Sequence, residues 1–595
     1  AVREAIEAED TPDAQRDALS AKADVLLAGI GTMPPVDPEG FRAVLPMVDL
    51  ERDIFRLQAE VWRAQGKPEL RIWKNHRWDP LSPWSEPAPD APEPVLGVKM
   101  MSNEHRADVI NVTNAGDEDT TVRVRLEGLP GGTNPDYVTV YEVLCVGTRR
   151  YTEVSAALPP AGRAADGYAL TVPSGMTRQL WFDFHPLDVE TGAHTGELVI
   201  EVDGRQPQRV AVQMQVYPST FPEETTLLLS GWEYTDADTM RGVTPQNRDA
   251  FIAYLQDHLV NAPWASGSAL PLGTFDEQGN YTQRPDTTRF DAWVQRWPGA
   301  KRYMVFIGFG NYNETKTVFA GAEAGTPQFD AKVGAWARFW ADHARELGLK
   351  PGQLGLLLID EPHNEVQYNA TTAYARAIKK AAPEIIIWVD PQPHDADTPR
   401  EMFSVADVLV PNRRQWLLEK PWFFEMFAEQ LEMGRELGFY FCDGPARRFD
   451  PFSYYLLQEW HCFDIGGTWA GFWSFGDTGG ADVWNEYTTA GGGPFAPLYL
   501  AGDSVTGAKY FEAIREGVQD YEYLVMLRER TDEVAAAHPD SPAVAHARQL
   551  LDTAYERVSA NEVRDLYWWH EEKDRSLADQ VRGEVLEALV GLSEL

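Results

Sequence analysis

The run Leu356-Leu357-Leu358-Ile359-Asp360-Glu361-Pro362 is an apolar strand that stops on two adjacent carboxylates. Four consecutive aliphatic side chains mark a buried strand, and such a strand has no structural need for two acids at its tip. Around it the chain alternates strand and helix. Expected strands are 226–232, 261–265, 302–308, 354–359, 385–389, 408–411, 438–442 and 468–473. The helix expected after Pro327 places Val333, Trp336, Phe339, Trp340 and Leu347 on one stripe, with Gly348 as its stop. Eight strands alternating with helices over residues 219–507 predict a (β/α)8 barrel of the TIM type. A doubly wound sheet is the alternative, but no glycine-rich nucleotide fingerprint follows the first strand.

Upstream, from about Leu96 to residue 218, the period changes to two. Ile110 and Val112 alternate with Val109, Asn111 and Thr113, and Val210, Val212, Met214 and Val216 share one face. Turns such as Gly131-Gly132-Thr133-Asn134-Pro135 and Asp203-Gly204 separate short strands, so residues 96–218 are expected to form an antiparallel β-sandwich. Residues 1–95 read as a helical, irregular segment ending in a Pro-rich linker from Pro80 to Pro94. Residues 508–595 read as helical, with helices expected at 510–530, 541–556 and 576–592. The expected class is therefore a multidomain chain, all-β then α/β, closed by helices.

The 595 residues carry 53 basic and 91 acidic side chains, a net charge of −38. That balance argues against nucleic acid or an anionic membrane surface as partner, since both require a basic patch. No stretch approaches the length of a membrane-spanning helix, so membrane insertion is not expected. Cys145, Cys442 and Cys462 permit one disulfide at most, and no metal-ligand spacing occurs. No metal or cofactor is expected, and the oligomeric state is left open. The chain begins at Ala1 rather than Met, which fits removal of a leader or tag; export and a cytoplasmic location both remain open.

Catalytic groups of such barrels sit at the carboxyl ends of the strands, where Asp360 and Glu361 are expected to lie. One carboxyl group that donates a proton beside another that manages developing positive charge suits cleavage of a glycosidic bond. Adjacent residues in a regular strand point to opposite faces, so the two acids converge only if the strand has ended, as Pro362 suggests. The plain alternative is that Asp360 caps the next helix and Glu361 is solvated. Other strand ends carry residue types that bind sugars. These are Trp232 and Glu233 at the first strand, Asn311 with Tyr312 at the third, and Trp388 and Asp390 at the fifth. Asn412 follows the sixth, Tyr440 and Asp443 lie at the seventh, and Trp473 and Asp477 at the eighth. All ten residues other than Tyr312 are candidates for substrate binding. The run Gly491-Gly492-Gly493 reads as a loop near the barrel mouth, and His394 and His461 read as isolated.

The strand ending Leu358-Ile359-Asp360-Glu361-Pro362, together with Arg515-Glu516-Gly517-Val518-Gln519-Asp520-Tyr521-Glu522-Tyr523-Leu524, resembles glycoside hydrolase family 123 and the wider domain-of-unknown-function 4091 group. The order of β-sandwich, barrel and helical end resembles it too, over about residues 96–530. The resemblance implies an exo-acting, retaining β-N-acetylgalactosaminidase that works by substrate assistance. It implies Glu361 as general acid/base and Asp360 as the group that orients and stabilises the substrate's 2-acetamido group. A Tyr or Asn is expected on the acetamido carbonyl, with Tyr440 and Asn412 as candidates. Two other readings stand beside it. One is a glycosidase acting on a sugar without an acetamido group, with Glu233, Asp390 or Asp443 as a second carboxylate. The other is a glycan-binding protein without catalysis.

Overall fold

Eight parallel strands lie in one sheet in an order that runs almost full circle. They are Leu228–Ser230, Trp264–Ser266, Tyr303–Gly310, Leu354–Ile359, Ile386–Val389, Val408–Leu409, Glu436–Phe441 and Trp469–Phe472. The computed structural model describes residues 1–595 except 38–39, 150–151, 312, 419, 481, 489–492 and 560–566. The first strand pairs with the eighth. It meets the second without a ladder, but the Asn261 and Ala262 amides both donate to the Leu229 carbonyl, at 3.3 and 3.1 Å. The barrel is thus nearly closed. Its interior is filled by Leu228, Trp232, Trp264, Met304, Leu357, Trp388, Tyr440 and Trp469, so it is a packed core and not a pore.

The strands are short, and their helices are set by local signals. The helix Pro327–Glu346 starts on Thr326, whose side chain accepts from the Phe329 amide, with Pro327 in the first turn. Its stripe is as expected, with Val333, Trp336 and Trp340 buried. The helix Glu365–Ala381, directly after the acid pair, is capped by Asn364, which accepts from the Gln367 amide at 3.1 Å.

Before the barrel stand two sheets. One has the order Leu70–Trp73, Arg106–Asn114, Thr177–Phe184, Val138–Gly147, Glu153–Leu158, Val505–Ala508, Tyr499–Leu500. The other has the order Val95–Ser102, Gln208–Thr220, Gly192–Glu201, Thr120–Glu127, Gly167–Val172, Gly162–Ala164. Ile110, Val112, Leu180 and Phe182 of the first share an apolar cluster with Val122, Leu198, Val210, Val212, Met214 and Val216 of the second. The first sheet is covered on its other face as well: Val109, Val143 and Trp181 belong to the large core that runs into the barrel's helical shell. Leu70–Trp73 comes from the part expected to be helical, and two late strands, Tyr499–Leu500 and Val505–Ala508, come from the far end of the barrel. The pairing of the second sheet includes one parallel ladder, Val95–Ser102 with Gln208–Thr220. Helices Val2–Glu7, Asp13–Ile30 and Asp49–Ala64 occupy the N-terminal part.

The C-terminal helices are Lys509–Ala537, Pro542–Val558 and Leu577–Ser593. The first carries the Arg515–Leu524 stretch and is its surprise, because those residues hold the molecule together. Arg106 of the first sheet contacts Asp520 at 2.5 Å and Glu516 at 3.3 Å, and also pairs with Glu104. Arg77 bonds Glu516 at 2.5 Å and Asp579 at 2.6 Å. Glu522 accepts from the amides of Thr226 and Leu227, just before the first barrel strand, and Asp520 accepts from the Trp460 indole. Gly517 has a packing reason: a Cβ there would lie 2.7 Å from Glu459 Oε2 and 2.9 Å from the Leu456 carbonyl. Gly517→Ala is therefore expected to destabilise the fold by about 1–3 kcal/mol, the usual cost of overpacking, read as a lower urea midpoint. An unchanged midpoint would show that the segment carrying Leu456 and Glu459 can draw back from the helix.

Candidate functional site

The fourth barrel strand ends at Ile359, and the backbone turns immediately: Glu361 has φ of +46°. A non-glycine residue in the left-handed region costs of order 1–3 kcal/mol and persists only where its surroundings hold it. Here the turn breaks the strand's alternation, so Asp360 and Glu361 need not face opposite ways. The holding group is Asp390, at the end of the fifth strand, whose Oδ1 accepts from the Glu361 amide at 3.1 Å. Asn364, not Asp360, caps the following helix, so the plain alternative for Asp360 does not apply.

Glu361 is fixed from the seventh strand and the fifth-strand loop. The Tyr440 hydroxyl donates to Glu361 Oε1, and Gln392 Nε2 donates to the same oxygen at 3.2 Å and to Tyr440 Oη at 2.7 Å. The Gln392 amide also donates to the Pro362 carbonyl at 3.0 Å. Asp360 hydrogen-bonds Asp390 through its side chain. Burial, then the neighbouring Glu361 charge, raises the Asp360 carboxyl to about 6, while Asp390 and Arg241 work against the rise. Asp390, 1 % exposed, is held well above the usual carboxylate range by burial first, then by the charges of Asp360 and Glu361.

Other members of the predicted set take different places. Trp473 is partly exposed, and the Arg241 guanidinium lies 4.4 Å over its ring. Asp477 pairs with Arg241 at 2.5 Å and accepts from the Gly479 amide at 2.9 Å. Trp232 stacks on Trp264 at 4.9 Å and meets Trp388 edge-on at 5.7 Å. Both Trp232 and Trp388 are interior residues that belong to the barrel core. Glu233 is buried, and its Oε1 accepts from the Trp264 amide at 2.5 Å, tying the first strand to the second at the seam. Burial lifts its carboxyl to about 8 even though that amide pulls it down.

Two asparagines are spent on backbone. Asn311 Oδ1 accepts from the Asn313 and Glu314 amides at 2.9 and 3.0 Å, closing a loop turn. Asn412 caps the short helix Arg413–Trp416, and its Nδ2 donates to Cys442 Sγ at 3.2 Å. Asp443 lies beside Arg414, at 3.6 Å, and accepts from the Tyr567 hydroxyl at 3.2 Å. His394 is not isolated: its ring lies 5.6 Å from that of His363. Tyr312, Gly491 and Gly492 lie outside the described residues.

Sequence reasoning missed Gln392 and Arg241. Gln392 stands between Pro391 and Pro393, two residues past Asp390, a stiff loop that fixes where its amide points. Arg241 has φ of +55° in the loop after the first strand and leaves no signal in the sequence. Among the described residues no group of three His, Cys, Asp or Glu side chains is arranged to hold a metal ion, and no helix is long and apolar enough to cross a membrane. A groove of about 900 Å³ lies elsewhere, between the second sheet and the last helix, lined by Lys99, Gln213, Gln215 and Asp579. It contains none of the acid cluster.

Fold and geometry together define a (β/α)8 barrel with an acid cluster at the carboxyl end of its fourth and fifth strands. Its fold is that of a family 123 glycoside hydrolase from Clostridium perfringens studied for glycolipid glycan hydrolysis. The TM-score is 0.61 at 10% identity, over 89% of this chain and 99% of that chain. The family resemblance read from the sequence is thus matched in architecture. A xyloglucanase of glycoside hydrolase family 5 from Bacteroides ovatus is more distant, with a TM-score of 0.30 at 8% identity over 71% of this chain and 98% of that one. So is a family 39 glycoside hydrolase from Bacteroides cellulosilyticus, at 0.34 and 11% over 71% and 81%. No family model matches the sequence, and no curated protein matches it.

Proposed function

We propose that the chain is a glycoside hydrolase that removes a terminal β-linked N-acetylhexosamine, most simply N-acetylgalactosamine, with retention and by substrate assistance. The observation that carries the reading is the Asp360–Glu361 turn, where two adjacent acids leave the strand together at the active end of a barrel. In the first step the substrate's acetamido oxygen attacks the anomeric carbon. The bond to the leaving group breaks, and the departing oxygen takes a proton from Glu361. Asp360 holds the acetamido N–H and balances the positive charge of the oxazolinium-like ring. Water then attacks the anomeric carbon and gives its proton to Glu361, which restores the acetamido group and the acid. Such a reaction needs no protein nucleophile and departs from the scheme of two separated carboxylates.

The other carboxylates support this assignment by their employment elsewhere. Glu233 serves the Trp264 amide, Asp443 sits with Arg414 and Tyr567, and Asp390 lies buried behind the pair. In this reading the two sheets form a β-sandwich of about residues 96–218, extended by the strands at 70–73 and 499–508, that buttresses the barrel of about 219–507, with the helical region 508–595 as their clasp. Trp473 and Arg241 form the sugar-facing wall.

The test is a screen of aryl β-glycosides with and without the 2-acetamido group, repeated with a thiazoline mimic of the cyclic intermediate. Hydrolysis of the acetamido sugars and inhibition by the mimic are expected. An active enzyme that ignores the mimic excludes substrate assistance. A pH profile adds a second check. Asp360 must be ionised to offset positive charge, and burial together with the Glu361 charge pushes its carboxyl up to about 6. Because that value is raised, kcat/KM is expected to be high above pH 6 and to fall as pH drops through it. An acid limb near pH 4 would assign the limb to another group.

A further inference from the structure

Asp390 has no place in the chemistry just described, yet it touches both acids. Its side chain reaches Asp360, its Oδ1 takes the Glu361 amide, and it is 1 % exposed. Two carboxyl groups in hydrogen-bond contact cannot both be charged without strong repulsion, and out of water the cheaper state of such a pair holds one proton. The geometry says which member keeps it. Asp360 is the more open of the two and lies nearer a cation, the Arg241 guanidinium of the first-strand loop. Asp390 is enclosed. Around it stand Asp360 and Glu361 from the fourth strand and Tyr440 from the seventh. Tyr234 and Arg241, from the first-strand loop, act on Asp360. The strongest influences on Asp390 are burial and the charges of Asp360 and Glu361, all of which favour its neutral form.

We propose that Asp390 is a positioning residue that stays protonated and donates a hydrogen bond to Asp360, so that the pair carries a single negative charge aimed at the substrate. With Oδ1 accepting from the Glu361 amide, the other oxygen carries the hydrogen. One buried side chain then sets two things at once: the turn that brings Glu361 round, and the orientation and charge of Asp360. The inference rests on the reading of Asp360 as the group that balances the cyclic intermediate.

The experiment uses two variants and two readouts. Asp390→Asn keeps a neutral donor and an acceptor; Asp390→Leu keeps the volume and removes both. On an acetamido substrate, Asp390→Leu is expected to lower kcat by about 10- to 100-fold, the loss of a hydrogen bond to a charged group. Its acid limb should move to higher pH, because Asp360 loses the donor that favours its ionised form. Asp390→Asn should recover most of kcat and bring the limb back towards pH 6. A limb that stays put in Asp390→Leu while kcat falls would show a merely structural role and overturn the proposal. The second readout needs no turnover. In protein labelled with carboxyl-¹³C aspartate, the infrared difference between wild type and Asp390→Asn at neutral pH should contain the C=O stretch of a protonated carboxylic acid. Its absence overturns the proposal. If wild type hydrolyses no glycoside while that band is present, the glycosidase reading fails and the shared proton stands.

Discussion

Glu361→Gln is expected to lower kcat/KM for a β-glycoside with a sugar or alkyl leaving group by roughly 10²- to 10⁴-fold, the range that general acid catalysis supplies. The amide keeps the shape of the side chain and can still contact Tyr440 and Gln392, which both meet Oε1. What it cannot do is release a proton to the departing oxygen. The loss should therefore be far smaller for an aryl glycoside whose leaving group departs without protonation. Comparison of the two substrate types in one preparation separates this outcome from misfolding. Equal losses on both would move the acid to another residue, and no loss on either would remove Glu361 from the chemistry.

Arg106→Met is expected to have the largest effect on stability. Arg106 is 2 % exposed and stands among Glu104, Glu516 and Asp520. Removing one partner of a buried ion cluster typically costs about 3–5 kcal/mol, because the remaining charges stay desolvated and unpaired. The pH dependence has a definite sign. Burial raises the Asp520 carboxyl to about 6 and Arg106 opposes that rise. Without Arg106 the folded-state value climbs further above that of the unfolded chain, so this part of the extra instability is present at neutral pH, shrinks as pH falls towards about 6 and is gone below it. Chemical denaturation at neutral pH and at about pH 5 measures it. A deficit that is the same at both would show that Asp520 does not feel the loss. Breaking the exposed Arg123–Asp203 contact serves as the control and should leave the transition unmoved.

The barrel was readable because its signal is local: apolar runs of strand length, each followed by an amphipathic helix. Asp360 and Glu361 were readable for the complementary reason, as acids where an apolar strand should have ended quietly. The aromatic candidates were less so, since a tryptophan that fills a barrel and one that faces a sugar carry the same letter. Trp232 and Trp388 belong to the first kind and Trp473 to the partly open kind. Asn311 and Asn412 show a related ambiguity, because an asparagine past a strand end serves a turn or a helix start as readily as a ligand. Gln392 and Arg241 lie on loops, where position depends on the whole fold and no period betrays it. The contacts of Arg106 with Glu516 and Asp520 span more than 400 residues of chain and leave no trace in either neighbourhood.

The stretch Arg515–Leu524 was the most distinctive piece of the sequence, and none of the bonds described for it involves the acid pair. Its side chains fasten sheets, barrel and last helix to one another. A fingerprint built on those ten residues therefore reports chassis and says nothing of engine. The reaction has to be read instead from the few residues that follow the fourth strand.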